Sequence, residues 1–389
     1  MTRLTPPNQL LPTCLLVASL SGFSCGGSDI ERPGDAGGVK RLWYTPTQNV
    51  PGWPGAAGVA GKTVIFGAYQ GIAAFDAESG ALRWTAKLWS GDVFAYNKNF
   101  AIGDGHACVA DQFNTACVDI ATGRVLWSNV FPADSSPGDG ESAYASNTWF
   151  YGARDHRVHA VDPETGAERW STDIAPGAVG PTRVFGISVR GDTVYATTVR
   201  WLTRNSVPLV GDLVALNRQT GGVLWRYTTP GDRGGFQGRA LLTDHLAIVN
   251  DTYYHGLVAV DLQTGKEVWR TVKDESGFVS AESTPVLAGD TVFAASADTQ
   301  IYAVDAKTGT VLWRVVGDGN ALGSIDACPK ALIPVEFAGG HAFLVDRRSH
   351  SVQGIDALPG NVSISSRFSV VGDRAYAAGT GGVYAFRCR

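Results

Sequence analysis

One nine-residue pattern occurs six times along the chain and constrains its fold more than any other feature. Each copy reads Asp/Asn-x-x-Ser/Thr-Gly-x-x-x-Trp, and the lead residues are 43, 43, 55, 44 and 44 residues apart. A period near 44 residues is typical of folds that repeat one small unit of strands. The six lead residues are Asp76, Asp119, Asp162, Asn217, Asp261 and Asp305. The chain is therefore predicted to be an array of similar units.

Each copy of the pattern predicts a strand, a turn and a returning strand. The apolar run 301–304 precedes Asp305 and is typical of a strand buried on both faces. The lead Asp or Asn favours a turn by accepting backbone hydrogen bonds, and the Gly accepts a positive φ. A second hairpin, with its turn at 289–290, precedes this one. Each unit is therefore predicted to hold four strands, A to D.

Four-stranded units that are apolar on both faces can bury those faces by packing against each other in a closed ring. Residues 354–360 resemble a seventh C–D turn, with Ile364 where the Trp would stand, and 382–386 resemble an eighth C strand. The missing D strand is predicted at 38–43, near the N-terminus. We therefore predict an all-β, eight-bladed β-propeller of four-stranded antiparallel blades, a single domain over 38–389. Seven blades is the alternative, if the seventh unit is a loop.

The repeat resembles the PQQ-like propeller family, which includes the quinoprotein dehydrogenases and a non-catalytic outer-membrane assembly lipoprotein of bacteria. The resemblance covers roughly residues 39–386, and the chain resembles the lipoprotein more than the dehydrogenases. It implies a fold and says little about function, because fold and function are separable. Each tryptophan at the repeat position is expected to bury about 150–250 Å² between blades. These predicted structural anchors are Trp43, Trp84, Trp127, Trp170, Trp225, Trp269 and Trp313.

The N-terminal segment predicts export. Residues 10–20 form an apolar run that is shorter than the about 20 residues needed to span a bilayer. This length is typical of a signal peptide, predicted over 1–24. The residues before Cys25 resemble a lipobox, which implies a lipid anchor at Cys25 and a flexible tether over 25–37. The alternative is an ordinary secretory signal cleaved near Ser24.

Four cysteines remain beyond Cys25, and an even number in an exported protein allows two disulfides. Cys108 and Cys117 flank a short turn and are predicted to lie opposite each other, about 4.5–5.5 Å apart at Cβ, which favours a bond. Cys328 and Cys388 can be paired only by elimination. Because Cys328 is assigned to a connection between blades, it is expected on the opposite face from Cys388, which argues against the second bond unless the C-terminus folds back.

The connections predict two different faces. The A–B and C–D turns share one face, here called the short-turn face, and the B–C and D–A connections share the other, here called the elaborated face. The long segments, which all fall on the elaborated face, are 85–97, 128–144, 226–239 and 316–330 between blades and the insertion 200–211. Loops on a rigid scaffold commonly carry function, so the elaborated face is the predicted site.

Arginine and aromatic residues in these segments are the candidate partner contacts, because Trp, Tyr and Arg are favoured at interface hot spots. For Trp201, the alternative is packing of the extended hairpin onto its neighbour. The candidates are Arg200, Trp201, Arg204, Arg233, Phe236 and Arg239.

Signals for catalysis are poor. The sequence has no Cys-x-x-Cys-His motif and no adjacent cysteine pair, and His156 and His159 are expected to point to opposite faces of a strand. The calcium-binding Glu and Asn and the catalytic Asp of the dehydrogenases cannot be matched to positions in this chain. Carboxylates such as Asp155 and Asp326 are expected to be solvated turn residues. We therefore expect no catalytic, cofactor-binding or metal-binding residues.

These observations predict a scaffold rather than an enzyme. The net charge of −4 argues against a nucleic-acid partner. The expected protein is an exported, lipid-anchored monomer of the bacterial envelope, an outer-membrane lipoprotein facing the periplasm, that binds another envelope protein through its elaborated face. The alternative is a dehydrogenase of alcohols or sugars that uses PQQ with calcium. A third alternative is a sensor or a sugar-binding, lectin-like propeller, for which the sequence has no separate signature.

Overall fold

Antiparallel β-sheet accounts for all the regular structure in the described residues. A computed structural model of the protein describes residues 39–46, 57–68, 70–89, 100–111, 113–132, 137, 140–178, 182–201, 209–231, 234–251, 256–271, 284–296, 298–317, 322–336, 342–355, 368–379 and 381–388. Within these ranges the chain forms eight sheets of four strands each. No helix in this part of the chain is long and apolar enough to cross a membrane.

The strands are short, as expected for blades of a propeller. In chain order they are β1 (Val39–Pro46), β2 (Ala57–Ala60), β3 (Thr63–Ala68), β4 (Gly71–Asp76), β5 (Leu82–Lys87), β6 (Phe100–Gly103), β7 (His106–Ala110), β8 (Asn114–Asp119), β9 (Val125–Val130), β10 (Ala143–Ala145), β11 (Thr148–Gly152), β12 (Arg157–Val161), β13 (Glu168–Asp173), β14 (Arg183–Arg190), β15 (Thr193–Trp201), β16 (Leu209–Asn217), β17 (Val223–Thr228), β18 (Leu241–Leu242), β19 (Leu246–Asp251), β20 (Gly256–Asp261), β21 (Glu267–Arg270), β22 (Val286–Ala288), β23 (Thr291–Ala295), β24 (Gln300–Asp305), β25 (Val311–Val316), β26 (Leu322–Ala327), β27 (Ala331–Glu336), β28 (Phe343–Asp346), β29 (Val352–Gly354), β30 (Ser369–Val371), β31 (Arg374–Gly379) and β32 (Gly382–Cys388).

The eight sheets form a closed ring, which confirms the predicted eight-bladed propeller. Blade 1 is β2 to β5 in the order A-B-C-D, and blades 2 to 7 follow with the same order. The A strands of successive blades contact each other, as β2 does with β6 and β30 does with β2, so they surround the centre of the ring. The D strands lie outermost.

Blade 8 is built from both ends of the sequence. Its order is β1-β32-β31-β30, and β1 pairs with β32 from Val39↔Cys388 to Pro46↔Gly382. The prediction that an N-terminal strand completes the last blade is confirmed.

The same contact joins most neighbouring blades. The indole N–H of the repeat Trp donates to the carbonyl of the residue that follows the lead residue in the next blade. The donors and acceptors are Trp43 to Ala77 at 3.1 Å, Trp84 to Ile120 at 2.9 Å, Trp127 to Pro163 at 2.9 Å, Trp170 to Arg218 at 2.9 Å, Trp225 to Leu262 at 3.0 Å and Trp269 to Ala306 at 3.1 Å. We call this the Trp–turn contact.

The glycine of the pattern lies beneath the tryptophan of the preceding blade. Gly123 has a φ of +73°, and a Cβ placed there would lie 2.6 Å from Cδ2 of Trp84. The turn therefore needs glycine for two reasons: its left-handed backbone, and the close approach of the indole ring. The assignment of the repeat tryptophans to packing between blades is consistent with all six contacts.

The predicted position of the seventh C–D turn, 354–360, is wrong. β28 ends at Asp346 and β29 begins at Val352, so the turn lies at 346–350. Asp346 accepts the backbone N–H of Ser349 at 2.7 Å, as the other lead residues do in their turns. Ile364, which was predicted in place of the Trp, lies outside the described residues.

The sequence pattern does not reveal this turn, because the turn lacks both the glycine and the tryptophan that identify the others. His350 occupies the glycine position with a φ of 60°. Its ring stacks on Trp313 of blade 6 at a centroid distance of 4.1 Å, so a ring-on-ring contact replaces the packing of Trp on glycine there. Strand pairing places Gln353, opposite Leu344, where the other blades have Trp.

The predicted bounds of the last long connection, 316–330, are also wrong. Strand A of blade 7 begins at Leu322, within the segment 316–330 that was assigned to a connection. Cys328 therefore lies in the A–B turn on the short-turn face, the same face that Cys388 reaches at the end of β32. The two form a disulfide with a Cα–Cα distance of 5.8 Å, so the geometric objection to this bond does not hold.

The other disulfide is as predicted. Cys108 and Cys117 are directly opposite each other on β7 and β8, in the hairpin of blade 2, and they are bonded.

Two glycine substitutions distinguish the cost of a left-handed backbone from the cost of crowding the indole ring. Gly289 also has a positive φ, +65°, but an added Cβ there meets nothing within 4 Å. Gly289→Ala is expected to lower the free energy of unfolding by about 1–2 kcal/mol through backbone strain alone. Gly123→Ala is expected to cost about 1–3 kcal/mol more, because its Cβ overpacks against Trp84. Chemical denaturation of both variants measures the difference, and equal costs would show that the indole contact is not tight.

Candidate interaction face

The six candidate contact residues have different positions on the elaborated face. Arg200 and Trp201 are the last residues of β15, where the backbone of Trp201 pairs with Leu209. The insertion therefore lengthens the B–C hairpin of blade 4, giving β15 and β16 nine residues each. Arg204, Arg233 and the side chain of Trp201 lie outside the described residues.

Arg200 is one of two arginines that neutralise a buried carboxylate. Asp212 is fully buried, and its Oδ2 lies 2.8 Å from Nε of Arg200 and 3.3 Å from Nη1 of Arg226. The hydroxyl of Thr228 donates to Oδ1 of Asp212 at 2.6 Å. Arg226 also donates to the carbonyl of Ile174 in blade 3 at 2.7 Å. Arg200 therefore stabilises the base of the extended hairpin, and its guanidinium is occupied by this ion pair.

Blade 5 has a similar arrangement. Asp251, the last residue of β19, lies 3.1 Å from Nη1 of Arg270. Arg270 also donates to the Tyr227 hydroxyl of blade 4 at 2.8 Å, and it pairs with Glu267. Burial alone would lower the pKa of Arg270, but the hydrogen bond and charge of Glu267 outweigh burial and raise it. The network ties the outer parts of two blades together near the elaborated face.

The residue after the repeat tryptophan is a sequence signal for these networks. Arg226 and Arg270 each directly follow a repeat tryptophan, and both reach from a D strand to a carboxylate and to the preceding blade. The dipeptide Trp-Arg therefore marks an ion pair at these two positions.

Phe236 is a core residue, so its prediction as a partner contact is wrong. Its side chain is fully buried and its ring lies parallel to Tyr227 at 6.1 Å. The backbone of Phe236 bridges to Asp251 and its N–H bonds to Thr198 at 3.3 Å. The connection that carries it folds back onto blades 4 and 5 instead of projecting from them.

Arg239 lies at the centre of the elaborated face with a side chain that is 42% exposed. Its Nε is 3.1 Å from Oε2 of Glu141, and the Thr284 hydroxyl donates to Oε1 of Glu141 at 2.9 Å. Glu141 precedes strand A of blade 3 and Thr284 precedes strand A of blade 6. Since these blades are not neighbours, the contact spans the opening of the ring. The three segments share no pattern, so sequence reasoning could not place them together.

Exposed apolar residues also lie on this face. Val130 ends the D strand of blade 2 with 81% of its surface exposed, and Phe113 in the neighbouring B–C turn is 38% exposed. The N–H of Phe131 bonds to the carbonyl of Phe113 at 2.7 Å, which fixes the two connections beside each other.

Comparison with known proteins identifies the family. The family model described as "Outer membrane protein assembly factor BamB" matches residues 35–200 and 210–388. The chain belongs to this family.

Curated relatives are distant. The chain is 25% identical over 252 residues to the outer membrane protein assembly factor BamB of Burkholderia pseudomallei, which covers 55% of the chain and 65% of the relative. It is 24% identical over 278 residues to the tetrathionate hydrolase of Acidithiobacillus ferrooxidans, which covers 66% of the chain and 52% of that enzyme. The chain thus spans less than two thirds of either relative.

Solved structures show the same fold. BamB from Moraxella catarrhalis superposes with a TM-score of 0.68 at 16% identity, covering 90% of this chain and 98% of that one. A europium-containing methanol dehydrogenase superposes with a TM-score of 0.70 at 13% identity, covering 90% of this chain and 93% of that one. Proteins with and without enzymatic names share this architecture, so the fold alone does not distinguish a scaffold from an enzyme.

The calcium ion of a PQQ site would need several oxygen ligands close together among the described residues. These residues contain no group of three or more His, Cys, Asp or Glu side chains placed to hold a metal ion. Glu141, the carboxylate at the ring opening, is already bound by Arg239 and Thr284. No reaction step is therefore assigned to such a cofactor.

A histidine between two carboxylates lies away from these groups, in blade 3. Nδ1 of His159 is 2.7 Å from Glu168 and Nε2 is 3.2 Å from Asp155, while its ring stacks on Tyr151 at 4.9 Å. Asp155 is a turn residue, as expected, and its partly exposed carboxylate is paired with His159. The same expectation is wrong for Asp326, which is buried in β26.

Because Asp212 is buried and paired with two arginines, its removal is expected to lower the free energy of unfolding strongly. Asp212→Ala leaves Arg200 and Arg226 without their carboxylate and is expected to lower the free energy of unfolding by about 3–5 kcal/mol. The matched control is Asp192→Ala, which removes an exposed carboxylate that pairs with Arg218 and is expected to cost less than about 1 kcal/mol. Chemical denaturation measures both, and a cost for Asp212→Ala no larger than the control would contradict this account.

The histidine cluster predicts a pH-dependent contribution to stability. Burial alone would lower the pKa of His159, but the ion pairs with Asp155 and Glu168 outweigh burial and raise it. Because the folded pKa exceeds the unfolded value of about 6.5, the contribution is complete below that pH and is lost as pH rises through the folded pKa.

The melting temperature of His159→Gln is therefore expected to fall further below that of the wild type at about pH 5.5 than at about pH 9. His245→Gln, in the exposed turn of blade 5, is the control for replacing an imidazole by an amide outside this cluster. A His159→Gln deficit that is constant with pH would show that the imidazole is not charged in these pairs.

Proposed function

We propose that this chain is an exported, lipid-anchored scaffold of the bacterial envelope that binds another envelope protein through its elaborated face. The observation that carries the proposal is the difference between the two faces. Membership in the assembly-factor family supports an envelope role. The proposal assigns no catalytic residue and no cofactor to the chain, and it expects a monomer at the outer membrane facing the periplasm.

The residues of the short-turn face hold neighbouring blades together. Its C–D turns accept the Trp–turn contacts, and their lead side chains are bonded within the turns, as Asp305 is to the N–H groups of Lys307 and Thr308 at 3.0 and 2.8 Å. Residues on this face are therefore constrained by neighbouring blades, and a partner site there would compete with the packing.

The elaborated face has the residue types that interfaces favour. Val130 and Phe113 expose apolar surface in blade 2, and Arg239 exposes a guanidinium beside the ring opening. Trp201, at the end of the extended hairpin, remains a proposed contact together with Arg204 and Arg233. Aromatic, apolar and arginine side chains on a rigid base are typical of binding hot spots.

Site-specific photo-crosslinking in intact cells tests which face binds. A photo-reactive residue at Val130 or Arg239 is expected to give a discrete crosslink to an envelope protein. The same residue at Val371, a position on the short-turn face that is 52% exposed, is the control and should give none. Crosslinks from Val371 alone would reverse the assignment of the faces, and none at any position would contradict the scaffold proposal.

Cell fractionation tests the lipid anchor. Cys25→Ala removes the only side chain that the lipobox resemblance would lipidate, so the exported protein is expected to move from the membrane fraction to the soluble periplasmic fraction. Ser24→Ala is a neighbouring control that should leave the protein with the membrane. Membrane retention of Cys25→Ala would contradict the anchor.

A further inference from the structure

The seam between blades 7 and 8 lacks the Trp–turn contact. In each of the other seven blades, Trp is the cross-strand partner of the residue two positions before the lead residue, as in Ala303↔Trp313. In blade 7 the same pairing, Leu344↔Gln353, places a glutamine there, and its side chain is exposed. Blade 7 therefore offers no indole N–H to blade 8.

Cys388 occupies the position in blade 8 whose carbonyl would accept the indole N–H in that missing contact. In the other blades the residue after the lead donates its N–H to the A–B turn of its own blade, as Ala77 does to Lys62 at 2.9 Å. The N–H of Cys388 bonds to Asp373 at 2.8 Å in the same way. Trp43 pairs with Ala385, which confirms that Arg387 holds the lead position and Cys388 the position after it.

The disulfide joins this position to blade 7. Cys328 lies in the A–B turn of blade 7, 60 residues before Cys388. Both cysteines are buried in an apolar cluster that includes Leu344 of blade 7 and Phe386 of blade 8. A covalent bond thus stands where the other seams have a tryptophan packed on a turn.

We propose that the Cys328–Cys388 disulfide fastens blade 7 to blade 8 at this seam, in place of a Trp–turn contact, and makes the stability of the seam depend on an oxidising compartment. The thiolate of one cysteine attacks the disulfide of an oxidised exchange partner and displaces one of its sulfurs. The thiolate of the second cysteine then attacks the mixed disulfide, so the Cys328–Cys388 bond forms and the partner leaves as a dithiol. The chain loses two protons and two electrons, and the partner gains them.

The other disulfide provides a matched control. Cys108 and Cys117 are also fully buried, but they lie in one hairpin with a separation of nine residues, where strand pairing already holds them together. The Cys328–Cys388 bond closes a loop of 60 residues and crosses between two blades. Chain entropy therefore predicts a larger effect for the longer loop.

Hydrogen exchange and thermal unfolding of two double variants test the proposal. Cys328→Ala/Cys388→Ala is expected to raise the exchange rates of amides in β32 and β1 by about tenfold or more. It is also expected to lower the melting temperature by about 2–3 °C more than Cys108→Ala/Cys117→Ala does. Equal melting temperatures with unchanged exchange in β32 would overturn the proposal.

A second measurement applies if the seam variant does not accumulate. Cys108→Ala/Cys117→Ala protein is purified in its oxidised form and treated with dithiothreitol until both Cys328 and Cys388 are counted as free thiols. The account expects faster exchange in β32 and β1 than in β7 and β8 after reduction. Equal protection of these strands before and after reduction would overturn it.

Discussion

The packing of a tryptophan in one blade on the C–D turn of the next is the interaction on which the rest of the structure depends. It uses the lead residue to shape the turn, the glycine to admit the indole and a free carbonyl to accept its N–H. Blades 1 to 5 each provide and receive such a contact, so the same interaction repeats around most of the ring. The contact also commits the short-turn face to packing, so variation in length is confined to the elaborated face.

The parts of the fold that could be predicted are those in which the contact is intact. Blades 1 to 6 and the completion of blade 8 by Trp43 follow from the Gly and Trp positions. The seventh C–D turn was misplaced because Asp346 and Ser349 persist there while His350 and Gln353 replace the identifying residues. The same misplacement of blade 7 led to the wrong face for Cys328, since a strand in that segment has no pattern of its own.

The candidate site was less predictable, because its contacts join segments that are far apart in sequence. Residue type alone did not separate Phe236, which is buried, from Arg239, which is exposed beside Glu141. Burial of Asp212 by two arginines depends on the register of the extended hairpin, which the length of the insertion does not reveal. The networks in blades 4 and 5 therefore form the rigid base of the elaborated face, and the exposed residues above them are the ones available to a partner.

Removal and replacement of β1 tests the central claim most directly. Deletion of residues 39–46 should leave β32 without its outer neighbour and blade 1 without the Trp43 contact, which should lower the melting temperature and increase exchange in β32 and β4. A peptide of residues 39–46 should bind at a one-to-one ratio and restore both measurements, while the same peptide with Trp43→Ala should not. If the deletion leaves the melting temperature unchanged, or if both peptides restore it equally, the Trp–turn contact does not close this ring.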